Sequence, residues 1–197
     1  MVPTPPVCFA AGMRIRATTI DDLEPLRAIE LRAGALFREV GMPDIAAHPV
    51  PPATVLARYV HAGRSWVLAG RDDLPVGFVL VDLVDGLPHI EQISVDPPYA
   101  RRGLGATLMD HVSAWAAAQG HGAVTLTTFR SVPWNGPYYG RLGFAEVPDE
   151  ARGPELAALM AEEARHGLDP AERVAMRRPA RSGSAFMAND VVSRGTS

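Results

Sequence analysis

The chain has 197 residues and a formal net charge of -3, from 19 basic and 22 acidic residues. This near balance does not favour a nucleic-acid partner, and no apolar run is long enough to indicate a membrane span. Every basic residue is an arginine, which excludes chemistry that needs a lysine, such as a Schiff base.

Residues 1–12 lack the basic start and apolar core of a signal peptide, so we expect a flexible extension and no export. The single cysteine, Cys8, cannot form an internal disulfide, which favours a reducing cytoplasm.

From Met13 a short alternation of apolar and polar residues predicts a first strand. Thr19 or Asp21 then caps a helix with apolar residues at Ile20, Leu23, Leu26, Ile29 and Leu31.

Residues 41–52 contain four prolines and are predicted to be a loop before a short helix at residues 53–62. Three strand-like runs at 65–69, 75–84 and 89–95 have short connections that indicate an antiparallel meander. The remaining predicted elements are a helix from Leu104 through Trp115, a strand at 123–128, a helix at 136–142, a strand at 144–147, a helix at 153–166, a strand at 173–177 and a disordered tail at 179–197.

The loop before the central helix contains Arg101, Arg102, Gly103 and Gly105. Backbone amides at a helix N-terminus bind phosphate, and glycine allows the ligand to approach them closely. The loop of nucleotide hydrolases requires a lysine, which this chain lacks. The dinucleotide fingerprint requires a third glycine where Leu108 stands. A glycine pair at an ordinary helix start is the structural alternative.

The remaining spacing resembles the acyl-CoA pyrophosphate loop of the GNAT superfamily of N-acyltransferases, Gln/Arg-x-x-Gly-x-Gly/Ala. Gly103 and Gly105 take the glycine positions, and Ala100 departs from the first position. A second motif, YYGRLGF at residues 138–144, is similar to the aromatic-Tyr and Gly-Phe pattern of the same superfamily. The resemblance covers residues 13–178 and implies a single α/β (α+β) domain with a mixed, mostly antiparallel central sheet flanked by helices.

The resemblance implies acetyl-CoA as the acyl donor, an amine as the acceptor and a homodimer as a further expectation. No metal is expected, because the six histidines show no metal-ligand spacing and there is no thiolate cluster. The residues expected to hold the donor are Ile93, Ser94, Val95, Arg101, Arg102, Gly103, Leu104, Gly105, Ala106, Asn135 and Tyr139.

Acetyl transfer to a primary amine needs a base for the ammonium proton and an acid for the leaving sulfur. The resemblance makes Tyr139 the candidate acid; the alternative is a core aromatic. Glu91 is the candidate base, predicted to share a strand face with His89, Ile93 and Val95. Its alternatives are a structural ion pair or an acceptor-binding charge. His89 is the second candidate base, although a lone histidine beside a turn is commonly a surface residue.

These residues predict an N-acetyltransferase acting on a small molecule or peptide by direct attack in a ternary complex. A noncatalytic acyl-CoA sensor is the alternative. In the superfamily the acceptor lies near the first two helices, here residues 29–47, whose mixed charges do not identify it. Trp134 is expected to be either a wall of the site or, more simply, a buried core residue.

Overall fold

The computed structural model describes residues 12–181, so the predicted extension and tail lie almost wholly outside the described residues. The strands are β1 (Arg14–Ala17), β2 (Ser65–Ala69), β3 (Pro75–Val84), β4 (Leu87–Val95), β5 (Ala123–Phe129), β6 (Ala145–Glu146) and β7 (Arg173–Pro179). The helices are α1 (Leu23–Gly34), α2 (Pro43–Ala46), α3 (Ala53–His61), α4 (Leu104–Ala118), α5 (Gly136–Arg141) and α6 (Pro154–Arg165). Shorter 3₁₀ turns are formed by Ile20–Asp22, Ala35–Val40, Pro97–Tyr99 and Asp149–Ala151.

The seven strands form one sheet in the order β1-β2-β3-β4-β5-β7-β6. Only β4 and β5 are parallel, and α4 forms the crossover between them; every other neighbouring pair is antiparallel. This arrangement confirms the predicted mixed, mostly antiparallel sheet and the meander of β2, β3 and β4. Within residues 12–181, no helix has the length and apolar character needed to cross a bilayer.

Apolar residues at helical spacing place one helical layer on each face of the sheet. On one face, Leu108, Met109 and Val112 of α4 are fully buried against strand residues such as Val79. On the other face, the α1 and α3 residues Leu23, Leu26, Ile29 and Leu56 pack against Phe78. The sheet is therefore covered by helices on both faces.

The first helix and the following loop differ from the prediction. Ile20–Asp22 forms a 3₁₀ turn, and α1 begins only at Leu23. The turn is fixed by Asp22, which accepts hydrogen bonds from the Thr19 amide at 2.7 Å and from Arg16 at 2.7 Å. The stretch predicted to be a loop contains α2, whose first residue is Pro43. Proline suits this position because an N–H in the first turn of a helix has no acceptor within the helix. A residue without an N–H therefore loses no hydrogen bond there.

Helix α6 is anchored to the turn between β3 and β4. The Asp85 carboxylate accepts hydrogen bonds from the backbone amides of Glu155 and Leu156, both at 3.0 Å. These amides belong to the first turn of α6, which has no internal acceptor for them. The cap fixes the register of α6, and with it the position of Glu163 near the opposite end of the helix.

Candidate active site

A cleft opens between β4 and β5. The two strands are paired at only two positions, His89 with Thr125 and Ile90 with Leu126. Beyond them β5 remains paired with β7 as far as Phe129, whereas β4 continues to Val95 without a partner on this edge among the described residues. The backbone of residues 91–95 therefore has hydrogen-bonding groups directed into the cleft.

The glycine-containing loop lies between β4 and the first turn of α4. Arg101 and Gly103 both have left-handed backbones, with φ values of 59° and 77°. Within the described part of the chain, the amides of residues 101–105 make no hydrogen bond. Arg102 donates to the Pro98 carbonyl at 3.2 Å and lies over the Tyr99 ring. The loop thus presents consecutive unpaired N–H groups beside two exposed guanidinium groups, an arrangement that can bind a diphosphate.

Tyr138 lies against this loop, a contact that was not predicted from the sequence. Burial raises the pKa of Tyr138, and the nearby Ala106 amide and Arg141 partly offset this rise. The phenol oxygen of Tyr138 would lie 3.3 Å from a β-carbon placed on Gly105. A side chain at Gly105 would therefore crowd Tyr138, and the α5 helix is packed closely against the start of α4.

Tyr139 follows in α5 and lies half-buried against the α4-side core. Its amide donates to the Asn135 carbonyl at 2.9 Å, and its carbonyl accepts from the Phe144 amide at 3.1 Å. Burial raises the pKa of Tyr139, and the nearby Tyr138 raises it further, while Arg173 opposes the shift. The phenol consequently keeps its proton at neutral pH and is available as a hydrogen-bond donor.

Asn135 and Trp134 lie in the turn before α5. The backbone N–H of Asn135 donates a hydrogen bond to the Val132 carbonyl at 2.9 Å, which closes this turn. Trp134 is 37% exposed, so the expectation of a buried core tryptophan is wrong. Its ring contacts Phe37 at 5.9 Å between centroids, and Phe37 in turn contacts Phe129 at 5.5 Å. Phe37 precedes α2, so these three aromatic side chains connect the α1–α2 segment to the end of β5 beside the cleft.

The prediction that Glu91 shares a strand face with His89, Ile93 and Val95 is only partly correct. On β3, Leu80 pairs with Gln92 and Val81 pairs with Ile90, which leaves Glu91 as the extra residue of a β-bulge. Ile93 and Val95 pack into the α4-side core. The charges of Asp82, Glu163 and Arg173 instead act on both Glu91 and His89. The bulge therefore places Glu91 on the face of His89 and opposite to that of Ile93 and Val95.

Glu91 lies in a crowded acidic environment. Burial raises its pKa, and the charges of Asp82 and Glu163 raise it further, while Arg173 lowers it. Its side chain nevertheless remains exposed to solvent, as at the floor of an open cleft. The raised pKa makes Glu91 a stronger proton acceptor than an ordinary carboxylate, as suits a general base.

His89 is only 1% exposed, contrary to the surface position considered for it. Its Nδ1 atom is 2.9 Å from the Thr125 hydroxyl oxygen, and burial lowers the pKa of the ring to about 4. Its Nε2 atom has no hydrogen-bond partner within residues 12–181. The imidazole is therefore neutral and shielded from solvent, which disfavours direct contact with an entering amine.

Glu30 lies in the acceptor region that was expected at residues 29–47, but no role was assigned to it from the sequence. It lies on α1, which packs against β4, and its Oε2 atom is buried with no hydrogen-bond partner in the described structure. Burial raises its pKa to about 7, and the charge of Glu91 contributes to this rise. Glu30 follows Leu23 by seven residues and Leu26 by four, which places it on the apolar face of α1. A carboxylate at such a position indicates a functional residue, and this spacing is visible in the sequence.

Replacing Glu30 with glutamine is expected to stabilise the protein at alkaline pH. The folded-state pKa is about 7 against an ordinary 4.5, so ionising Glu30 costs stability as the pH rises through this interval. Below pH 4.5 we expect Glu30→Gln and the wild type to have the same free energy of unfolding. Above about pH 7 the free energy of unfolding of the variant should be higher by about 1–3 kcal/mol. Urea unfolding across this pH range measures the difference. The exposed Glu24→Gln change on the same helix is the control, and an equal pH trend there would contradict the explanation.

The other charges of the cleft are paired. Arg173 donates two hydrogen bonds to Glu163, at 2.6 and 3.0 Å, and Thr127 donates to the same carboxylate at 2.6 Å. Asp82 accepts from Tyr59 at 2.9 Å and lies 3.5 Å from Arg64. Among the described residues, no group of three or more His, Cys, Asp or Glu side chains is placed to hold a metal ion.

Comparison with known proteins agrees with this geometry. Residues 34–144 match the Acetyltransferase (GNAT) family. PaiA N-acetyltransferase from Thermoplasma acidophilum, solved in complex with coenzyme A, superposes with a TM-score of 0.60 at 15% identity over 85% of this chain and 98% of that one. The ribosomal-protein-S18-alanine N-acetyltransferase from Escherichia coli gives a TM-score of 0.60 at 19% identity over 89% and 99% of the two chains. An acetyltransferase of the GNAT family from Staphylococcus aureus gives 0.61 at 17% identity over 86% and 99%.

Proposed function

This chain belongs to the GNAT acetyltransferase family, and we propose that it is an N-acetyltransferase that transfers an acetyl group from acetyl-CoA to a primary amine. The observation that carries this proposal is the divergence of β4 from β5 next to a loop with unpaired amides. The acceptor is a small molecule or a peptide, and the reaction is a direct attack in a ternary complex. The lone Cys8 supports a cytoplasmic site of action.

The donor would be held mainly by backbone groups. The backbone amides of residues 101–106 would bind the diphosphate, among them those of Arg101, Arg102, Gly103, Leu104, Gly105 and Ala106. The unpaired edge of β4 at Ile93, Ser94 and Val95 would bind the extended arm as an added strand would. Asn135 lies at the start of α5, from which it would contact the same arm. The unpaired amides and strand edge therefore fit acetyl-CoA without any metal.

The chemistry needs a base for the ammonium proton and a proton donor for the leaving sulfur. Glu91 would accept a proton from the acceptor's ammonium group, directly or through water, which gives the amine a free electron pair. The donor supplies an activated thioester; as the nitrogen–carbon bond forms, its carbon–sulfur bond breaks. Tyr139 would donate a hydrogen bond and then a proton to the departing sulfur, and it would regain a proton from the nitrogen, which becomes cationic when its bond to carbon forms. Its raised pKa makes it a poor acid but a persistent donor, which suits stabilisation of a thiolate.

Two measurements on the purified protein test this proposal. Titration calorimetry should show binding of both CoA and acetyl-CoA, and a thiol-release assay should show acetyl transfer to members of an amine panel. Failure to bind either cofactor would refute the assignment as a whole. Binding without transfer to any amine would favour the acyl-CoA sensor. Sedimentation of the same preparation would test the expected homodimer.

A further inference from the structure

Two carboxylates in the cleft have no cationic partner. Glu30 comes from α1 and Glu91 from the bulge of β4, and neither forms an ion pair with another described residue. They lie close enough for the charge of Glu91 to act on Glu30. Burial and the charge of Glu91 together raise the pKa of Glu30 to about 7, so Glu30 is about half protonated at pH 7.

The surrounding charges do not compensate this pair. Glu163 is neutralised by Arg173, and Asp82 is in contact with Arg64 and Tyr59. Tyr59 keeps its proton, because burial and the charge of Glu91 both raise its pKa. The uncompensated negative charge of the cleft is thus concentrated on Glu30 and Glu91.

The aromatic residues near the end of β5 also favour a cation. Phe37 contacts both Phe129 and Trp134, so aromatic rings connect the α1–α2 segment with the end of β5. The Arg173 guanidinium lies 4.8 Å from the centroid of the Phe129 ring, so one cation already stacks on this wall. Aromatic faces and unpaired carboxylates both attract cations, whereas a carboxylate on the acceptor would be repelled.

We propose that Glu30 is a specificity-determining residue that, together with Glu91, selects an acceptor carrying two positive charges, such as a short diamine. The proposal rests on the proposed function. Glu91 takes the proton of the amine that is acetylated, whereas Glu30 forms an ion pair with the second ammonium group. A monoamine leaves Glu30 without a partner in a desolvated position. An amino acid adds a carboxylate to a cleft that is already negative.

Three acceptors of equal chain length test the proposal: 1,3-diaminopropane, propylamine and β-alanine. In the wild type, kcat/KM for the diamine should exceed that for propylamine by roughly 10- to 100-fold, as expected for one additional charged hydrogen bond. β-Alanine should be the poorest of the three. Glu30→Gln should reduce kcat/KM for the diamine to about the propylamine value, mainly through KM. Glu24→Gln, on the exposed side of the same helix, should preserve the preference.

A second measurement does not depend on turnover. Binding of the diamine to the CoA complex should draw Glu30 into its ionised form and release part of a proton at pH 7. Calorimetry in buffers of different ionisation enthalpy measures this release. We expect it in the wild type and in Glu24→Gln, and we expect a smaller release in Glu30→Gln.

The outcomes separate this proposal from the proposed function. If amines are acetylated without a preference for the diamine, or with the same preference in Glu30→Gln, the role of Glu30 is refuted and the acetyltransferase stands. If no amine is acetylated although acetyl-CoA binds, the proposed function fails; calorimetry then decides on Glu30, and absence of diamine binding to the CoA complex refutes its role as well. A melting curve for each variant verifies that the comparison is between folded proteins.

Discussion

Replacing Tyr139 with phenylalanine is expected to lower kcat for amine acetylation by about 10²- to 10⁴-fold, the usual contribution of a general acid. The change removes only the hydroxyl, so the ring keeps its packing against the α4-side core. The donor is bound mainly by backbone groups, and acetyl-CoA affinity should therefore change by less than about threefold. Stopped-flow thiol release at saturating acetyl-CoA measures kcat, and calorimetry measures affinity.

Tyr138→Phe is the matched control for this experiment. The two rings are adjacent, with centroids 5.7 Å apart, and the hydroxyl of Tyr138 lies against the loop, 3.3 Å from a β-carbon placed on Gly105. Its removal should alter the affinity for CoA more than it alters kcat. If Tyr139→Phe instead keeps more than about a tenth of kcat, the sulfur receives its proton from another source.

Replacing Glu91 with glutamine is expected to lower kcat by about 10²- to 10³-fold and to change the pH dependence of the reaction. A base must be ionised, so the wild-type rate should fall as the pH drops through the pKa of Glu91, which lies above its ordinary 4.5. Glutamine cannot titrate, so this limb should disappear. The residual rate should then rise toward alkaline pH with the fraction of free amine, whose pKa is about 8 to 10.4.

The pH–rate profile of kcat at saturating acetyl-CoA measures this change. Glu172→Gln provides the matched control, since it removes an equal charge at an exposed position whose side chain has no partner in the described structure. If Glu91→Gln retains both its rate and its acidic limb, Glu91 binds the acceptor or supports the fold, and the base lies elsewhere.

Most of the fold follows from local patterns in the sequence. Residues 65–69 and 75–84 were predicted as strands with the bounds that the structure gives, because apolar runs between turn residues define them. The start of α4 at Leu104 was also correct, because the preceding glycine marks it. By contrast, the 3₁₀ turn at Ile20 was missed because Ile20 fits the apolar spacing of α1, although Asp22 binds Thr19 and Arg16 and closes the turn. The short α2 helix was missed because its stretch is rich in proline, which favours a loop.

The acceptor side of the site was much less predictable. The bulge at Glu91 shows in the sequence only as a break in alternation, because Ile90 and Ile93 are three residues apart and both reach the α4-side core. Since both faces of the sheet are covered, this spacing does not by itself say which of Glu91 and Gln92 is the extra residue. Burial of His89 depends on Thr125, a residue of the parallel strand beyond the α4 crossover. Glu30 was visible as a carboxylate among the apolar positions of α1, yet its importance comes from Glu91 on another element.

The β-bulge also allows Glu91 and the pair Ile93 and Val95 to lie on opposite faces of the sheet although they are an even number of residues apart. On a regular strand, Glu91, Ile93 and Val95 would have to project in one direction, so a carboxylate in the acceptor cleft would require two aliphatic side chains beside it. Deleting Gln92 would restore regular alternation with Glu91 still opposite Ile93 and Val95, because one residue fewer would then lie between Ile90 and Ile93. What the deletion would remove is the local bend and twist that a bulge gives a strand, at the point where β4 leaves β5. Engineering of this strand is therefore best limited to substitutions that preserve its length.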